Sequence, residues 1–94
     1  MVLTMMEARV EAGNEEALIE AYGQALRELD PGIVHTYLVW GLSGLELWRT
    51  MTSWENMEVL EAMRGQGTLR GVLMFRKAGA EPTLSMLEVV AASE

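Results

Sequence analysis

The sequence predicts an α+β fold: a ferredoxin-like split βαβ plait, with a four-stranded antiparallel sheet carrying its helices on one face. Three observations predict it. Four β-rich runs, at residues 2–10, 33–40, 45–52 and 83–91, are interleaved with segments of helical apolar spacing at 15–29, 57–64 and 69–77. Glycine- and proline-bearing stretches separate them: Gly13, "DPG" at 30–32, "GLSG" at 41–44, "GQG" at 65–67 and "AGAEP" at 78–82. The resulting order, β-α-β-β-α-(α)-β, is that of two interlocked βαβ units, and right-handed crossovers leave 4-1-3-2 as the strand order.

The first strand alternates, with Val2, Thr4, Met6, Ala8 and Val10 on one face and Leu3, Met5, Glu7 and Arg9 on the other. Gly13 ends it, and Asn14 is placed to cap the first helix. There Leu18, Ala21, Tyr22, Ala25 and Leu29 form one stripe, and Glu15 and Glu16 occupy the dipole-favoured first turn. Proline in "DPG" stops that helix. "GLSG" reads as a tight hairpin turn that pairs Gly41 with Gly44. That register sets Trp40 opposite Leu45, Leu38 opposite Leu47, Tyr37 opposite Trp48, Thr36 opposite Arg49 and His35 opposite Thr50. One hairpin face then carries Val34, Leu38, Trp40, Leu45, Leu47 and Met51. The other carries His35, Tyr37, Val39, Glu46, Trp48 and Thr50. Asn56 is placed to cap a second helix with Met57, Leu60 and Met63 in step, and Thr68 to cap a third with Leu69, Val72 and Leu73 on its stripe. "TLSMLEVVA" is the last strand.

Ninety-four residues make one domain, spanning 1–94, with no room for a second core. Fourteen acidic residues against seven basic ones give a net charge of −7. That balance repels phosphate backbones and anionic lipid, so neither nucleic acid nor a membrane is an expected partner. Cysteine is absent, which removes disulfides, thiol nucleophiles and thiolate zinc sites. The start "MVLTMMEARV" has neither a basic n-region nor a long apolar run, and the expected location is cytoplasmic. Helices cover one sheet face only, while the other still shows Leu3, Met5, Tyr37, Val39 and Trp48. Its economical cover is a second copy of the same sheet, so a homodimer or higher homo-oligomer is expected.

Three segments carry a family resemblance. "SWENMEVLEAM" supplies Trp54, Asn56 and Leu60 as strand end, polar cap and helix. "RVEAGNEEALIEAY" and "DPGIVHTYLV" supply the first strand–glycine–helix junction and the Pro-Gly lead into the second strand. In this order and spacing the chain resembles the antibiotic biosynthesis monooxygenase family over nearly its whole length. The resemblance implies a dimeric α+β barrel. It also implies one of the family's activities: cofactor-free oxygenation of aromatic polyketides, quinol oxygenation or haem degradation. Two departures bear on the choice. The helix histidine frequent in the family falls here at Met63. The asparagine, tryptophan and histidine of the haem-degrading branch fall near Met6, Met63 and Leu73, which neither ligate iron nor donate comparable hydrogen bonds. The expectation is therefore no cofactor and no metal.

The candidate substrate contacts are Trp54, Met6, Tyr22, Leu60 and Met63, in a cleft between helices and sheet whose soft methionines adapt to an apolar ligand. Each has a packing role as well: Trp54 as a staple before the Asn56 cap, Tyr22 in the first helix's core stripe, and the methionines as core filler. His35, Tyr37 and Trp48 are candidate interface residues or polar handles. His35 is the only histidine, and a lone imidazole without a partner ligand makes no metal site. No catalytic residue can be assigned. The leading expectation is a cofactor-free monooxygenase of an aromatic phenol or quinol. The alternative is a non-catalytic dimeric ligand-binding or regulatory protein of the same fold, and a muconolactone-type isomerase comes third.

Overall fold

Residues Val2–Arg9 form strand β1, one of the two central strands of the sheet. A computed structural model describes residues 1–41, 46–67 and 69–93. After β1 come α1 (Glu15–Arg27), β2 (Ile33–Trp40), β3 (Leu47–Trp54), α2 (Met57–Gly65), α3 (Arg70–Lys77) and β4 (Thr83–Glu88). The four strands make one sheet in the order β2-β3-β1-β4, with every neighbouring pair antiparallel. This is the predicted 4-1-3-2 topology.

Alternation along β1 decides which face is covered. Val2, Thr4, Met6 and Ala8 are buried beneath the helices, while Leu3, Met5 and Glu7 on the opposite face are half-buried. Trp48, Trp54, Leu18, Leu60 and Phe75 complete the core on the helix side. The Asn56 side chain accepts a hydrogen bond from the Val59 N–H at 2.9 Å and starts α2, as its sequence position implies. Asn14 occupies the N-cap position of α1 but makes no side-chain capping bond. α3 turns differently from expectation. Met74 and Phe75 are its buried residues, and Leu73 is 45% exposed, because the stripe that meets the sheet lies one position further along the helix. Thr68, expected to cap α3, lies outside the described residues.

The hairpin register differs from the tight-turn reading, and the difference changes faces. Trp40 pairs with Trp48, Val39 with Arg49, Leu38 with Thr50, Tyr37 with Met51 and His35 with Ser53. The Gly41 N–H donates to the Leu47 carbonyl at 3.0 Å, so Gly41 stands opposite Leu47. The expected pairings of Gly44 and Leu45 lie outside the described residues. Glu46 adopts φ 55°, left-handed backbone that cannot continue a strand, and β3 starts only after it. The net slip is three residues, an odd number, and an odd slip exchanges the partners' faces. Trp48 and Thr50 therefore lie under the helices, and Leu47 and Met51 lie on the open face.

That open face carries Leu3, Met5, Leu47, Met51, Tyr37 and Val39, with Tyr37 58% exposed. Glu7 and Arg49, register partners, form an ion pair of 2.7 Å across it. His35 and Tyr37 stack with ring centroids 6.4 Å apart.

Candidate functional site

The helix side of the sheet is not fully closed. Between α1, the start of α3 and the middle of the sheet lies a narrow cleft that opens to solvent. Its walls are apolar: Met6 of β1, Trp54 of β3, Ala25 and Leu26 of α1, and Leu69 and Met74 at α3. α3 comes close because Gly71 has no side chain. A β-carbon there would sit 2.5 Å from the Met6 sulfur and 2.9 Å from its methyl.

The floor is a set of threonines. Thr36, Thr52 and Thr4 stand side by side on β2, β3 and β1, because Thr36 pairs with Thr52 and Thr52 pairs with Thr4 in the two registers. Thr50 is their neighbour along β3. The Tyr22 hydroxyl reaches down from α1 and donates to Thr36 Oγ1 at 3.2 Å, and the Thr36 and Thr52 hydroxyls lie 3.0 Å apart. Trp54 Nε1 donates to Thr4 Oγ1 at 3.1 Å, which satisfies an indole N–H that burial would otherwise leave unpaired. The cleft's charged lining residues are Glu28, Asp30 and Arg70. The Arg70 guanidinium donates from Nη1 to the Glu28 carbonyl at 2.7 Å and places Nε 3.4 Å from the Asp30 carboxylate, tying α3 to the α1–β2 connection.

The structure brings Met6, Tyr22 and Trp54 together around this cleft. Leu60 is fully buried in the core and Met63 packs against that core, and neither lines the cleft. His35 and Tyr37 are exposed on the open face. Trp48, expected beside them, is instead buried on the helix side and stacked on Trp40 with centroids 6.2 Å apart. Sequence reasoning missed the threonine floor and Arg70. The signal for the floor was a threonine at a helix-facing position of each of three strands, which becomes visible as one row only in the correct register.

The sequence profile described as antibiotic biosynthesis monooxygenase matches residues 1–70. The chain belongs to this family. Among solved structures, this family member is similar to a variant of MhuD crystallised with two manganese protoporphyrin IX molecules per active site. The TM-score is 0.74 at 23% identity, over 100% of this chain and 99% of that one. SnoaB of Streptomyces nogalater, a cofactor-independent oxygenase, gives a TM-score of 0.68 at 11% identity, over 97% of this chain and 94% of that one. A further structure, an antibiotic biosynthesis monooxygenase, gives 0.72 at 9% identity, over 97% of this chain and the whole of the other. At these identities the likeness is one of fold. A search of curated proteins finds no match. Among the described residues no helix is long and apolar enough to cross a membrane, and no three potential metal ligands cluster.

Proposed function

We propose that the protein is a cofactor-independent monooxygenase of an aromatic phenol or quinol, bound in the cleft under the helices. The observation that carries this reading is the division of the cleft into apolar walls and an uncharged hydroxyl floor. An electron-rich phenolate can pass an electron to dioxygen without help from a metal or flavin. The protein then has to hold the ring, stabilise the developing oxyanion and exclude water. Met6, Trp54 and Met74 suit the first and last tasks, and the threonine hydroxyls suit the second. For a substrate with an activated ring methylene, the balance is one methylene and one O2 giving one carbonyl and one water.

The cleft's only ionisable side chains among the described residues are Tyr22, Glu28, Asp30 and Arg70. That arrangement favours one alternative, a non-catalytic protein that binds a small aromatic molecule in the same cleft. We further propose that the molecule works as a homodimer joined through the open sheet face. Support comes from the exposed apolar residues there, Tyr37 and Val39 among them.

Aerobic and anaerobic incubation with a panel of anthrones and quinols, followed by product analysis, tests the enzymatic reading. Product that requires O2 and carries one 18O atom from 18O2 is the expected result. Binding of the panel with no oxygen-dependent product would leave the ligand-binding alternative in its place.

A further inference from the structure

Among the described residues, the hydrogen bonds on the cleft floor do not use all the hydroxyl hydrogens there. Tyr22, Thr36 and Thr52 carry one hydroxyl hydrogen each and make two hydrogen bonds among themselves, so one hydrogen is left over. It belongs to Thr52 if Thr36 is the donor of their shared bond, and to Thr36 if Thr52 is. Thr4 has a second surplus, because its oxygen accepts from Trp54 Nε1 and its own hydrogen is not used in that bond. Thr4 is 2% exposed, and Thr36 and Thr52 are half-buried. Thr4 and Thr52 are direct cross-strand partners on one face of the sheet, a placement that sets β-carbons about 4.5–5.5 Å apart. One ligand oxygen lying between them is within reach of both.

We propose that Thr4 and the Thr36–Thr52 pair form an oxygen-recognition site on the cleft floor. It holds the hydroxyl, phenolate or quinone oxygen of an aromatic ligand with two hydroxyl donors. The inference rests on the cleft being the ligand site, and it deepens that reading by naming the atoms that read the ligand. Two spare donors select an acceptor atom. The floor holds no cation, so selection is by hydrogen bonding and not by ion pairing. Tyr22, fixed from α1, holds Thr36 in the rotamer that keeps the row connected, which makes it a positioning residue. The apolar walls of Met6, Trp54 and Met74 strengthen each bond by keeping the floor dry.

The test compares two probes of one shape, 1,4-naphthoquinone and naphthalene, by calorimetric titration of the whole protein. Each neutral hydrogen bond contributes a factor of about 2 to 10 in affinity, so the quinone should bind the native protein about 4- to 100-fold tighter than the hydrocarbon. The Thr4→Val, Thr52→Val double variant should cut the ratio at least as far as Thr52→Val alone, because it removes both hydroxyl donors and frees only the Trp54 Nε1–H in their place. Thr4→Ser with Thr52→Ser, which retains both hydroxyls, should keep the preference. Thr52→Val alone leaves the Trp54–Thr4 bond intact and should cut the ratio by about 2- to 10-fold; it carries the test if the double variant fails to fold. A ratio that does not change in the valine variants, both probes still binding, overturns the oxygen site and leaves the cleft standing. Failure of the native protein to bind either probe overturns the cleft reading and this inference with it.

Discussion

Trp54 serves two functions with one ring. It is 4% exposed, packed in the core and bonded through Nε1 to Thr4, and part of the same indole lines the cleft. Its removal should therefore be felt first as lost stability. Trp54→Ala is expected to destabilise by about 3–5 kcal/mol in denaturant unfolding, the usual cost of emptying a large aromatic site. An unchanged unfolding midpoint with ligand binding abolished would mean that the ring is cleft wall and little else. His35 gives the opposite case. It lies exposed on the open face, where its backbone N–H donates to Ser53 Oγ at 3.0 Å, and it is remote from the threonine floor by being on the other side of the sheet. A general base contributes about 10²- to 10⁴-fold to turnover. His35→Ala should cost less than about tenfold, the result for a residue outside the chemistry. A hundredfold loss with association unchanged would place the reaction on the open face.

At the scale of elements, the approach of α3 to β1 depends on Gly71. In Gly71→Ala the new methyl meets the flexible end of Met6, a cleft-lining side chain, which has to shift to make room. Alanine also gains about 1 kcal/mol of helix propensity over glycine. The expected outcome is a melting temperature within a few degrees of native and a clear loss of affinity for 1,4-naphthoquinone; equal affinity would show that Met6 has room elsewhere. The turn after α3 is held by Arg76, which meets Glu81 with bonds of 2.9–3.3 Å. That hydrogen bonding holds the Glu81 carboxyl below the usual carboxylate range. A depressed folded-state value contributes stability above the unfolded pKa, and the contribution disappears as pH falls through the folded one. The melting temperature of Glu81→Gln should thus lie slightly below native near neutral pH and converge with it in acid. A gap that persists in acid would assign the effect to something other than the ion pair. Element order and topology were legible because periodicity and the "DPG" break are local signals. The hairpin register was not. Two glycines in "GLSG" imply a tight turn, but the left-handed Glu46 delays β3, and the three-residue slip moves Trp48 and Thr50 to the other face. The site inherited that error: with Thr50 on the wrong face and Thr36 set against Arg49, three threonines could not be seen as one floor. Met6, Tyr22 and Trp54 were legible because helix stripe, strand alternation and the family's tryptophan each place one of them independently of the hairpin.

For the molecule as a whole, the sheet separates two surfaces. The helix side holds the cleft, and the open side presents Leu3, Met5, Met51, Tyr37 and Val39 around the Glu7–Arg49 pair. An apolar face of that kind calls for a partner, and a two-fold copy would meet it with the same residues. Light scattering at low micromolar concentration should give the mass of a dimer, and a stably folded monomer there would refute the proposed assembly. Ligand binding under the helices is reported directly by the three tryptophans. With the indole Nε1–H signals of Trp40, Trp48 and Trp54 assigned by 15N NMR, 1,4-naphthoquinone should be titrated into the native protein. The expected result is a saturable shift of the Trp54 signal, whose N–H donates to Thr4 on the cleft floor, with the Trp40 signal unmoved at the far end of the hairpin. Saturable shifts at Tyr37 and His35, with Trp54 silent, would contradict it.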